Sequence, residues 1–536
     1  MYRRLFALLM VVVAVGSLLA CGAKSDSSSG GNASAASGAV QLSLTDAPAD
    51  GLDNVWITVK EVWFHTSDAS GPGEAGWLKY PLASPVTVDL LTLGNGATPQ
   101  TLWNSLTLPV GEYQQIRLFL VPTFSKNPVP PVGHAYYNEV VETGSTQALP
   151  LRIPDAEHGI RLVGHFKVVE GGTLRLAIDF DAGSDVIELQ HKEEYVLKPR
   201  LAYFDLDNAG AIVGQIDMAS AATYTSSRFV FKAEQLVSDG TATFHTVRRA
   251  ATLVDPSIGR FVLYPLGKGT YDLVLRGIGY QTVIIKGVPV NRGTTPSSGA
   301  TSIPIITMTP GADFDVNATI TTPSGAWVNF YQKLAGAGEF PYEIRFKHFN
   351  PLTGSLSGFK LSADQLQVGS YQTGTLLSGP VAVTPAGGNG SFSAVADAIL
   401  YNSSAPAVIS ASTGTVSFGT LSVTSPATAH SISGTISLPS TTMAMSLKKG
   451  VVFAIQGGMI VDSLQVDNQM MSNGGSYVMT NLPGGTLADP LPGAFYGVEA
   501  FGWSSTTAAR AIAMPGLADL RRGNDTKIDL DMLLLP

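Results

Sequence analysis

In Val55-Trp56-Ile57-Thr58-Val59-Lys60-Glu61-Val62, apolar and polar side chains alternate. Val55, Ile57 and Val59 fall on one side of an extended backbone and Trp56 and Thr58 on the other, which is the two-residue period of a half-buried strand. The phase slips at Lys60-Glu61 before Val62 returns, and that slip predicts a β-bulge. Working outward, Val40, Leu42 and Leu44 repeat the alternation, and so do Ile116, Leu118 and Leu120 after Pro109-Val110-Gly111-Glu112. Phe166 and Val168 run into Glu170-Gly171-Gly172-Thr173, and Leu174, Leu176, Ile178 and Phe180 follow, which predicts a hairpin. The expected fold class is all-β, a series of tandem β-sandwiches.

Composition agrees with many short strands joined by turns. The chain has 536 residues, 57 of them Gly and 32 Pro, and only 14% are charged, whereas about 25% is usual. The length suggests three to five domains. A net charge of −8 with no basic stripe argues against nucleic-acid binding. A single cysteine rules out an internal disulfide, so stability must come from packed cores.

That cysteine is Cys21, and its surroundings are informative. Arg3 and Arg4 precede the apolar stretch Leu5 to Val15, and Leu18-Leu19-Ala20 leads into Cys21. The stretch is short for a membrane span and has the layout of a removed secretory leader. The residues before Cys21 resemble the lipobox of bacterial lipoproteins, which implies acylation of Cys21 and a membrane partner held through it. Two or more acyl chains anchor stably. Gly22 stands where an Asp would favour inner-membrane retention, so the resemblance implies an envelope protein at the outer membrane, facing either the periplasm or the surface. Residues 1–20 are therefore expected to be a signal peptide and residues 21–38, rich in Ser, Gly, Ala and Asn, a disordered flexible tether.

Residues 39–205 resemble domain of unknown function 4382, found in bacterial and archaeal lipoproteins. The resemblance rests on Leu44-Thr45-Asp46-Ala47-Pro48-Ala49-Asp50, Asp89-Leu90-Leu91, Gly111-Glu112-Tyr113-Gln114-Gln115-Ile116-Arg117-Leu118, Asp179-Phe180-Asp181-Ala182 and Tyr195-Val196-Leu197-Lys198-Pro199. It implies no particular activity. Further on, Ile212-Val213-Gly214-Gln215-Ile216 followed by Pro265-Leu266-Gly267-Lys268-Gly269-Thr270-Tyr271 is echoed by Ile432-Ser433-Gly434-Thr435-Ile436 followed by Leu482-Pro483-Gly484-Gly485-Thr486 and Tyr496. Both resemble the transthyretin-like, carboxypeptidase regulatory-like module, a small immunoglobulin/transthyretin-like sandwich related in architecture to sugar-binding folds. The expected units are 39–208, 209–310, 311–430 and 431–536, arranged as a rod, with Ser362-Ala363-Asp364-Gln365-Leu366 the one hint of a helix.

Candidate sites are few. Gly71-Pro72-Gly73-Glu74-Ala75-Gly76 satisfies a dinucleotide-binding spacing, but strands flank it and no helix opens from it, so it reads as a surface loop. Asp205-Leu206-Asp207 begins like a calcium loop, but Ala209 and Ile216 occupy ligand positions of a standard hand. Asp205 and Asp207, with Asp179, Asp181 and nearby Asp185, remain candidates for a looser Ca2+ site; the competing reading of Asp179 and Asp181 is a solvated strand face. Asp46, Asp50 and Asp53 read as turn formers that bond their own backbone. Trp56, Trp63, Trp77 and Tyr80 are candidates for stacking on a sugar ring or anchoring a protein partner. His158 and His165 have no cysteine partners for zinc. No nucleophile elbow, metalloprotease helix motif or phosphate-loop lysine occurs. The expectation is a non-catalytic, lipid-anchored envelope or surface protein acting as a binding or presentation module for an unknown protein or glycan ligand, with a carbohydrate-binding surface lipoprotein and a structural adhesion or matrix protein as the alternatives, and no cofactor other than Ca2+.

Overall fold

The computed structural model describes residues 36–47, 51–93, 99–124, 129–190, 194–218, 229–238, 242–255, 257–372, 378–425, 427–439, 447, 449–467, 475–504 and 510–535. Cys21, Asp50 and nearly all of the expected tether lie outside them. The described residues are mostly strand joined by turns and irregular links, the helical elements being one turn at Ala182–Asp185 and a 3-10 turn at Leu90–Thr92. No helix among them is long and apolar enough to cross a membrane.

One topology occurs four times. In each unit the opening strand lies between an antiparallel neighbour and a parallel closing strand. Ser37–Ala47 pairs with Gln100–Pro109 and, in parallel, with Thr173–Asp181. Ala209–Gln215 lies between Arg260–Gly267 and Thr301–Ser302. Asp313–Thr322 lies between Ser355–Ser362 and Thr415–Thr420. Thr428–Ser437 lies between Gly475–Gly484 and the closing strands Thr526–Lys527 and Leu530–Leu534. A second sheet faces or extends this one in every unit. That of the second unit is extended by Leu366–Ser370 and Ser378–Val383, strands contributed by the chain of the third.

A recurring corner joins the two sheets. Gln100–Pro109 and Gly111–Leu120, Arg260–Gly267 and Gly269–Gly277, and Gly475–Gly484 and Phe495–Trp503 are consecutive strands that belong to different sheets or pair with different partners. At each corner a tyrosine hydroxyl donates back to a carbonyl on the earlier strand: Tyr113 to Pro109 at 2.9 Å, Tyr271 to Gly267 at 2.7 Å and Tyr496 to Pro483 at 2.7 Å. The bond satisfies a buried phenol and pins the chain where it changes sheet, as the corner tyrosine of immunoglobulin-like sandwiches does.

The bulge expected at Lys60-Glu61 is present, as a register shift between Val59 and Glu61 against both neighbouring strands. Two local expectations are corrected. The turn at Gly171-Gly172 forms, with Gly172 N–H donating to Val169 O at 3.1 Å, but Ile160–Val168 and Thr173–Asp181 enter different sheets and are not a hairpin. Ser362 to Leu366 is an irregular link between two strands, because both flanks are drawn into sheets and no residues remain for a helical turn.

The apolar alternation fills separate cores in the first and second units. In the third and fourth it fills one continuous core, running from Val316 and Phe330 to Tyr496 and Met532. A smaller cluster joins Leu189 and Val196 of the first unit to Leu352 of the third and Phe453 and Phe501 of the fourth. The rod expected from the sequence is thus folded back, bringing the first unit against all three others.

Candidate functional site

The five candidate metal-binding aspartates separate into two places. Asp205 accepts from Asp207 N–H at 3.0 Å and from the Asn208 amide at 2.7 Å, and Asp207 pairs with Arg175 at 2.5 Å, on an exposed turn. Asp179 points away from Ile178 and Phe180, which are fully buried, as the strand period requires. It forms an ion pair with Arg249 of the second unit. The same guanidinium donates to Thr45 Oγ1 at 3.0 Å, Asp46 O at 2.6 Å and Tyr264 O at 3.0 Å, so one arginine rivets two units together. Asp181 accepts from Ser184 N–H at 3.2 Å and caps the single helical turn.

Asp185 is fully buried and accepts from the backbone N–H groups of Asp181 at 3.3 Å and Arg200 at 3.1 Å. Its other oxygen has no hydrogen-bond partner among the described residues and lies 4.0 Å from the imidazole of His348 on the third unit. Burial, reinforced by Asp181, pushes the Asp185 carboxyl well above its ordinary range. Burial, reinforced by the Lys198 and Arg200 charges, pushes His348 well below its own. Lys198, also fully buried, donates to Gly325 O at 2.9 Å, and burial lowers it to about 7. Among the described residues no three His, Cys, Asp or Glu side chains are grouped to hold a metal.

Asp46 is not a turn former. It lies in the strand Ser37–Ala47, is fully buried and accepts from Ala182 N–H at 2.9 Å, and burial raises its carboxyl well above the usual range. Asp53 is not a former of its own turn either: it lies in the strand Leu52–His65 and accepts from the N–H of the distant Gly144 at 3.1 Å.

The four candidate stacking residues also divide. Trp56 is half-buried opposite Val55 and Ile57 and meets His134 edge-on at 4.7 Å. Trp63 packs at 4.3 Å from Phe119 and 5.7 Å from Trp77, and Lys79 Nζ lies 3.7 Å over its ring. Trp77 is buried, its indole N–H donating to Gly71 O at 2.9 Å, so the glycine-rich loop closes over it. Tyr80 is on the other face, packed against Phe64 at 5.9 Å and bonded to Thr107 O at 2.5 Å. Trp63 and Trp77 therefore make one aromatic cluster, whose faces are covered by Phe119, Lys79 and Arg117.

Residues 37–199 match the model of a domain of unknown function, DUF4382. The buried groups just described thus sit within the DUF4382 region or on the surfaces it presses against other units. No curated protein matches the chain. Among solved structures, the chain is similar to the Bacillus anthracis TIE protein, at 9% identity over 94% of this chain and 75% of that one, with a TM-score of 0.14. It is similar to two B repeat units of the collagen binding protein of Staphylococcus aureus, at 8% identity over 94% and 99%, TM-score 0.13. The full-length major pilin SpaD of Corynebacterium diphtheriae is similar at 11% identity over 62% and 99%, TM-score 0.14.

The DUF4382 region meets the fourth unit through a second set of buried charges. Arg152 pairs with Glu499 at 2.5 Å, both nearly solvent-free, and the guanidinium lies 4.5 Å over Phe501. Glu499 also accepts from Asp155 N–H at 3.1 Å, while burial raises Asp155 to about 6 despite its bond to His158. His158 is engaged in that bond, and His165 lies on the separate strand Ile160–Val168. Glu74 in the glycine-rich loop pairs with Arg521 at 2.7 Å, and Arg521 stacks over Phe495 at 3.8 Å. Reading the sequence did not single out Arg152, Arg249 or Lys198. For Arg152 the one available signal was a cation at the end of an otherwise apolar strand, Ala148–Arg152.

Proposed function

We propose that the protein is a non-catalytic module of the cell envelope, held to the outer membrane through an acylated Cys21, that presents its four sandwiches as a single body. The observation that carries the reading is the burial of ion pairs between units. Arg249 with Asp179 ties the second unit to the first, and Arg152 with Glu499 ties the fourth to the first. Removing either partner leaves an uncompensated buried charge, which makes such seams demanding of one arrangement.

The lipobox-like residues before Cys21 support the anchor, and the Ser/Gly-rich stretch that follows supports a spacer between bilayer and body. Growing cells on an alkyne-tagged fatty acid tests this. The wild-type chain takes up the label and fractionates with the outer membrane, whereas Cys21→Ala is unlabelled and released. An unlabelled wild-type chain would overturn the anchor, and protease shaving of intact cells distinguishes surface from periplasmic exposure.

A further inference from the structure

A groove of about 300 Å³ opens between the third and fourth units. Its floor is the end of Asp313–Thr322 and the strand Met459–Val466, and its walls are the turn 352–354 and the strand Gly475–Gly484. Asp462 sits at its base. One oxygen of that carboxylate accepts from Ser324 N–H at 2.9 Å, Ser324 Oγ at 3.0 Å and Ser463 N–H at 2.9 Å, which fixes its plane. No donor among the described residues reaches the other oxygen, Oδ2, which is left to the groove. Thr322 and Thr480 line the same space, and neither hydroxyl has a hydrogen-bond partner among the described residues. Val478 is 53% exposed on the same face of its strand as Thr480 and supplies an apolar flank.

We infer that this groove binds one or two sugar units of a neutral glycan through Asp462, Thr322 and Thr480. A fixed carboxylate oxygen accepts hydroxyl protons, and a threonine hydroxyl both donates and accepts, so together they complement a vicinal diol. No Lys, Arg or His lines the groove to balance an anionic ligand. A lone carboxylate falls short of the six to eight oxygens a calcium ion takes. The volume sits at the low end of small-ligand sites, about 300–1,000 Å³, and suits a mono- or disaccharide rather than a folded partner. With no aromatic ring in the lining, affinity is modest, a dissociation constant on the order of 1 mM for a dozen-atom ligand.

The inference rests on the reading of the protein as a binding and presentation module, yet it can fail separately, because anchoring is read by fatty-acid labelling and sugar binding by NMR. The full chain in detergent micelles is titrated with glucose, galactose, mannose, N-acetylglucosamine and their disaccharides, using saturation-transfer NMR. At least one sugar should show transfer. Thr480→Trp, which fills the groove from an exposed position, should weaken that binding at least tenfold while leaving the melting curve unchanged, and Asp462→Asn should weaken it similarly. Absence of transfer from every sugar overturns the inference, and so does binding that survives Thr480→Trp undiminished.

Discussion

The seam between the third and fourth units and the seams around the first unit hold by different physics. The third and fourth share one apolar core, supplemented by backbone contacts such as Gly325 N–H to Val461 O at 3.0 Å and the Tyr401 hydroxyl to Asn481 O at 2.7 Å. The first unit adds to its small apolar cluster a set of buried charged side chains, with Arg249, Arg152, Lys198 and Asp185 placed where solvent does not reach. An apolar seam tolerates some repacking, because any shape of about the right volume excludes water. A buried ionic seam does not, because its stability hangs on each charge finding its partner. The first unit is therefore the more exactingly positioned of the two regions.

The largest expected effect comes from removing one ion. Arg152→Ala strands Glu499 in the interior and should destabilise the protein by about 3–5 kcal/mol, read by chemical denaturation. The double substitution Arg152→Met with Glu499→Leu should recover most of that loss. If the single and double variants lose equally, the seam depends on packing and the contrast dissolves.

Acidity probes the seam between the first and third units, where Lys198 bonds Gly325 O. Burial depresses Lys198 from 10.5 to about 7, so the unfolded chain takes up a proton at higher pH than the folded one. The stability associated with the neutral amine is present above about 10.5 and is lost as pH falls toward about 7. Lys198→Met should flatten stability across that window in a pH series of melting curves. An unchanged slope would show that the amine is solvated.

Gly325 stands where three units meet, giving its N–H to Val461 O and its carbonyl to Lys198. A Cβ there would press on the backbone of Ile460 and Val461, which sheet pairing holds in place. Gly325→Ala should cost about 1–3 kcal/mol by overpacking, and a neutral result would indicate that the third and fourth units slide freely. The smallest effect is expected for Tyr401→Phe. Losing one bond across the apolar seam should cost about 0.5–1.5 kcal/mol, measurable as a midpoint shift.

The strands were legible because burial on one sheet face leaves a two-residue signature, and Val55 to Val62 carries it down to the bulge. The Gly171-Gly172 turn was not legible as a sheet-changing link, because the same residues close a hairpin, and only the partners of the flanking strands distinguish the two. Ser362 to Leu366 has helix-compatible residues, but the pull of two sheets decides its conformation. The tyrosine corners at Tyr271 and Tyr496 were visible as a repeat, and the matching one at Tyr113 became apparent through its bond to Pro109. The ionic seams left almost no trace. Arg152 and Glu499 are 347 residues apart, and a lone arginine or lysine in a sequence looks like surface until its partner is located.

The central claim is that buried ions fold the four units into one body, and small-angle X-ray scattering of the full chain tests it most directly. A closed body of this length predicts a radius of gyration of about 25 Å. Four sandwiches in an open row would give about 40 Å, and that value would contradict the account.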